Sequence, residues 1–95
     1  MKLASVYIIT NLNNTVLYIG VTSNLPQRIY QHKHKICKGF SEKYNLSKLV
    51  YFEQFSDMYN AIIREKRLKQ WKRLWKERLI NDLNPNWRDL YFDII

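Results

Sequence analysis

Two short apolar runs, separated by an asparagine-rich break and followed at once by a helix start, constrain this chain more than any other feature. Residues 5–10 (SVYIIT) and 16–21 (VLYIGV) flank a break that holds Asn11, Asn13 and Asn14. β-Branched and aromatic residues on either side of a turn-forming cluster predict a β-hairpin with a loop of about four or five residues. Each run carries one tyrosine near an end, Tyr7 and Tyr18. The second run closes at Gly20 and leads into Ser23-Asn24-Leu25-Pro26, where a capping side chain followed by proline in the first turn starts a helix. On that helix Arg28 and His32 stand one turn apart on one face, while Leu25, Ile29 and Ile36 form a neighbouring stripe that packs on the sheet. Two phenols, a guanidinium and an imidazole are thereby gathered at the front of the chain.

Length and charge bound the rest. Ninety-five residues provide for one domain, residues 1–95, with one small core shared by any binding and catalytic apparatus. Sixteen Lys and Arg against eight Asp and Glu give a net charge of +8 and a pI near 9.8, which attracts polyanions and makes nucleic acid the leading partner. Cys37 is the one cysteine, so an internal disulfide is excluded, and no Cys or His spacing matches a zinc site. Cys37 reads as a passive residue near the helix end. The first apolar run is interrupted at Thr10 and Asn11, too early for a signal peptide, and no stretch approaches the ~18 apolar residues of a membrane span. A cytoplasmic protein is expected, with no membrane contact.

Beyond the first helix, His32-Lys33-His34-Lys35 and Lys38-Gly39 read as a basic helix end and a glycine stop. His32 and His34, two apart, do not share a helix face and make no metal pair. Residues 39–46 read as a loop that could carry Phe40 or Lys43 to a substrate, with Ser41 between them. KLVYFEQF, residues 48–55, is rich in β-formers and predicts a third strand, and Asp57 is the better N-cap for the helix that follows. On that helix Met58, Ala61, Ile62 and Leu68 form the apolar stripe, with Glu65 in its middle. A carboxylate so placed costs several kcal/mol unless compensated, by Arg28, Arg64 or Lys69 on a structural reading. A basic helix continues through residues 64–78, its Trp71 and Trp75 read as core residues and its lysines and arginines as phosphate contacts. Asn84-Pro85 ends it, and Trp87, Leu90 and Tyr91 fold the tail back. The fold expected is α+β, a three-stranded antiparallel sheet flanked by helices.

Val6-Tyr7-Ile8 and Tyr18-Ile19-Gly20, nine residues apart, with the run from Gly20 to His32 behind them, resemble the core of a GIY-YIG nuclease domain. Val6 stands where the first motif usually has glycine. The resemblance extends over residues 5–91, of the small stand-alone type, and Arg64-Glu65 with Leu68-Lys69 looks like the place of the superfamily's metal-binding glutamate. It implies a metal-dependent endonuclease acting on DNA, in repair, recombination or nucleic-acid processing. Glu65 would hold magnesium, with manganese as the alternative ion. Arg28 would contact the scissile phosphate, Tyr7 and Tyr18 would activate and position water, with Tyr7 favoured as base, and His32 would relay a proton or orient a tyrosine. Because a phenol with a reference pKa of about 10 is a poor base, a nearby cation must assist. The superfamily's late asparagine would fall at Asn81 or Asn84. Without a targeting domain, specificity would come from substrate structure, a protein partner or self-association. The alternatives are a non-catalytic nucleic-acid-binding module on the same fold, and a protein-interaction domain.

Overall fold

The computed structural model describes residues 3–36 and 39–95, so the expectation for Cys37 lies outside the described residues. The hairpin forms as the sequence predicts. Strand β1 (Ala4–Thr10) runs antiparallel to β2 (Leu17–Thr22), with Tyr7 opposite Gly20 and Ile9 opposite Tyr18. Its loop, residues 11–16, is longer than expected because Asn11 builds it: the side-chain oxygen accepts from the backbone N–H of Thr15 and Val16 at 2.9 and 3.1 Å. Asn14 takes φ 58°, which asparagine tolerates.

Helix α1 (Leu25–Lys33) is capped by Asn24, whose side chain accepts from the Gln27 N–H at 3.2 Å. It ends sooner than the pattern suggests. Lys35 adopts φ 56°, which no helix continues, so Ile36 leaves the stripe and is exposed. Gly39, at φ 98°, precedes a one-turn helix, α2 (Phe40–Lys43), within the expected loop rather than stopping α1. Strand β3 (Lys48–Phe55) has the predicted bounds and pairs with the far side of β1, giving the order β2-β1-β3.

Helix α3 (Met58–Gln70) starts at Asp57, which accepts from the Asn60 N–H at 2.7 Å. The single basic helix expected over residues 64–78 is in fact two. Trp71 and Lys72 are extended, with ψ of 148° and 150°, and α4 (Arg73–Leu83) sets off in a new direction. At 100° per residue an unbroken helix would turn Ile80 roughly 120° away from Leu68, whereas the break lets both be fully buried. Trp71 packs against the core as expected, but Trp75 is 47% exposed and is not a core residue.

Strand alternation sends side chains to two cores. Val6, Ile8 and Ile19 meet Ala61, Leu68 and Ile80 on one face. Tyr7 and Ile9 meet Leu25, Ile29 and Leu90 on the other, where the tail ends in α5 (Tyr91–Ile94). The two sheet edges are treated differently. The register skips Val50 between Ile8 and Ile9, a β-bulge, and the Val50 carbonyl accepts from Asn84 Nδ2 at 3.2 Å. Beside it the Leu49 N–H donates to Asp89 Oδ1 and the Leu49 carbonyl accepts from the Leu90 N–H. The folded-back tail thus satisfies the β3 edge at Leu49 and Val50, while β2 forms the opposite edge of the sheet.

Candidate active site

Tyr7 lies on the central strand and has no solvent exposure, and its ring rests on the backbone of its cross-strand neighbour Gly20. A Cβ at Gly20 would come within 2.4 Å of Tyr7 Cζ and Oη, so only glycine leaves room for the ring there. The phenol oxygen is 3.0 Å from His32 Nε2, and His32 Nδ1 is 2.9 Å from Ser41 Oγ. These three buried side chains form one hydrogen-bonded chain from β1 through α1 to α2. Burial, with the nearby Arg28 charge second, lowers the His32 pKa to about 4. A neutral imidazole donates at one nitrogen and accepts at the other, which suits a bridge between two hydroxyls.

Tyr18 stands on the edge strand and is half-buried. Its ring lies 6.5 Å from that of Tyr7, meets His32 edge-on at 6.0 Å, and stacks with Phe40 at 6.0 Å. Leu17, Tyr18 and Ile19, whose side chains alternate across the sheet, line one groove together with Phe40, Lys69 and Lys76. The groove therefore wraps the β2 edge and is reached from both faces. Arg28, one turn before His32, is half-buried, and among the described residues it has no carboxylate partner.

Glu65 occupies the core-facing stripe as the sequence predicts, with its side chain 14% exposed. Of the cations considered for it, the structure pairs it with Lys69, at 3.4 Å. Arg64 instead holds Glu53 through two hydrogen bonds of 2.9 and 2.8 Å. Because Lys69 lines the groove beside Tyr18, the Glu65 carboxylate is one side chain removed from it. Among the described residues no three His, Cys, Asp or Glu cluster to cage a metal. Magnesium needs no such cage, since it keeps several waters and takes one or two carboxylates plus substrate oxygens. A shielded carboxylate whose lysine partner lines the groove fits that requirement.

The front four residues are thus brought together, Tyr7, Tyr18 and His32 in ring contact and Arg28 close enough to act on His32, while Glu65 approaches from the other helix layer. The late asparagines are elsewhere. Asn84 is buried against β3, donating to the Val50 and Arg88 carbonyls, and Asn81 accepts from Trp87 Nε1 at 2.5 Å. Sequence reasoning missed Ser41 as the partner of His32, and nothing local marks it. It also missed Lys76 as a groove residue, one of many lysines on that helix.

The sheet order β2-β1-β3 thus sets one tyrosine against a glycine at its centre and a second tyrosine at its edge. The chain belongs to the GIY-YIG family: the sequence pattern of the GIY-YIG catalytic domain matches residues 3–78. Among solved structures the chain is similar to the solution structure of a UPF0213 protein from Bacillus halodurans, at 22% identity over 92% of each chain with a TM-score of 0.58. That likeness is one of fold. No curated protein matches the sequence. Among the described residues no helix is long and apolar enough to cross a membrane.

Proposed function

We propose that the protein is a metal-dependent endonuclease that hydrolyses phosphodiester bonds in DNA during repair, recombination or related processing. The observation that carries this reading is the buried Tyr7–His32–Ser41 chain lying beneath Tyr18 at the open sheet edge, in a chain with a net charge of +8. Packing alone does not require such a relay, because each buried polar group must find a partner or cost about 1–3 kcal/mol.

In this reading Arg28, lacking a carboxylate partner among the described residues, binds the scissile phosphate and stabilises the charge that builds on its oxygens. Tyr18 is the phenol that water can meet, so in this reading it takes the role of base, for which the family resemblance left both tyrosines open and favoured Tyr7. Tyr7, with no exposure, is a positioning residue: it fixes the ring of His32, and His32 in turn backs the edge of Tyr18. Glu65 would hold magnesium or manganese, which when bound supplies neutralisation of the phosphate and stabilisation of the leaving oxygen. Lys69 is the groove cation nearest that acid and would turn to the phosphate when displaced.

The test is nicking of supercoiled plasmid. Cleavage that needs magnesium or manganese and is lost in Glu65→Gln and Arg28→Ala supports the reading. No cleavage of any DNA form with any divalent ion overturns it. A non-catalytic nucleic-acid-binding module is the second reading, favoured by the lysine already paired with Glu65. It predicts salt-sensitive binding indifferent to divalent ions and to Glu65→Gln.

A further inference from the structure

Three aromatic rings run outward from the site. Tyr18 stacks with Phe40 at 6.0 Å and 27°, and Phe40 meets Tyr44 at 4.7 Å and 48°. Phe40 is 47% exposed and Tyr44 39%, although the segment that bears them already has a structural task, that of bringing Ser41 to His32. Nothing in that task needs two large rings in water. Cations flank them: Lys69 and Lys76 line the groove with Tyr18 and Phe40, and the Lys43 ammonium lies 5.4 Å from the centre of the Tyr44 ring. Scattered surface aromatics need no explanation. Contiguous rings leading out of a lysine-walled groove combine the two elements by which single strands are held, faces for bases and charges for the backbone.

We infer that Phe40 and Tyr44 form a base-stacking track selecting an unpaired polynucleotide strand, with Lys69 and Lys76 on its phosphates and the adjoining phosphodiester delivered to Tyr18. A paired duplex hides its base faces within its own stack, so it can use the lysines but not the rings. Single-stranded DNA and RNA offer the same faces and phosphates. The inference rests on the nuclease reading for the fate of the strand but not for its binding.

The test is fluorescence anisotropy with a short labelled DNA strand, the same sequence as RNA, and the DNA duplex, all with EDTA present so that no cleavage intervenes. A single strand, DNA or RNA, should bind more tightly than the duplex. Phe40→Leu, which keeps apolar bulk without a π-face, should weaken that binding on the order of tenfold and weaken duplex binding by clearly less, and Phe40→Trp should restore it. Duplex binding as tight as that of both single strands, or Phe40→Leu matching the parent, overturns the inference. Should Phe40→Leu fail to fold, photocrosslinking of the parent to a 5-iodouracil strand reads the same contact. Adducts at residues 40–44 support the track, and adducts confined to other residues overturn it. A protein that cuts duplex with magnesium yet shows no single-strand preference would refute the track and leave the nuclease reading intact.

Discussion

Replacing Gly20 by alanine perturbs the centre of the site through a single methyl group. The added Cβ would stand 2.4 Å from Tyr7 Cζ and Oη and 2.9 Å from Cε1, whereas carbon atoms in contact settle at about 3.5–4.0 Å. Tyr7 must therefore shift by roughly an ångström, yet it is fully buried and its hydroxyl is held by His32. Overpacking of this kind costs about 1–3 kcal/mol, and a lost buried hydrogen bond adds about 1 kcal/mol. The total, about 2–4 kcal/mol, corresponds to a fall in Tm of roughly 10–25 °C for a domain of this size. The double-mutant cycle locates the cause: in a Tyr7→Leu background, where no ring crosses position 20, Gly20→Ala should cost under about 1 kcal/mol. Urea denaturation of the four proteins measures both quantities. Gly20→Ala as stable as the parent, or an equal penalty in the Tyr7→Leu background, would refute the claim that this glycine exists to admit the Tyr7 ring.

Other outcomes follow from the same contacts. Because His32 stays neutral in the fold down to about pH 4 while the unfolded chain takes up a proton near 6.5, its contribution is intact at pH 7 and is lost as pH falls between those values. The loss should reach about 3 kcal/mol, His32→Gln should remove it from the urea-denaturation pH profile, and a His32 NMR titration midpoint at or above 6.5 would contradict it. Ser41→Ala leaves His32 Nδ1 without its hydroxyl and should cost about 1–2 kcal/mol by the same assay, with Ser41→Thr intermediate; no change in Ser41→Ala would argue against the three-member chain. Asn84→Ala removes bonds to the Val50 and Arg88 carbonyls and from the Arg88 N–H, so about 2–3 kcal/mol of stability should go while nucleic-acid affinity stays. A loss of affinity in a folded Asn84→Ala protein would instead return this asparagine to the site.

What could be read from the residues is what local chemistry decides. Asn24 and Asp57 cap their helices because a short polar side chain before an apolar period has few better uses, and residues 48–55 form a strand because their composition suits nothing else. Glu65 on the inner stripe follows from helical period alone. The two tyrosines are indistinguishable by contrast, since alternation says which face each takes but not which strand is central. Only the order β2-β1-β3 makes Tyr7 inaccessible and leaves Tyr18 at an edge. The turn between α3 and α4 carries neither glycine nor proline and is imposed by the need to bury both Leu68 and Ile80. The tie from His32 to Ser41, like that from Asp89 to the β3 edge, joins segments whose meeting depends on the whole fold.

In this account Tyr18 and Glu65, from opposite layers of the molecule, serve one cleft at the β2 edge. Paramagnetic broadening of amide NMR signals during a manganese titration tests that pairing without requiring catalysis. The signals lost first should be those around Glu65 and Tyr18, with Glu65→Gln abolishing the effect at both. Broadening centred on another acidic residue such as Asp82 or Asp93, and unaltered by Glu65→Gln, would contradict it.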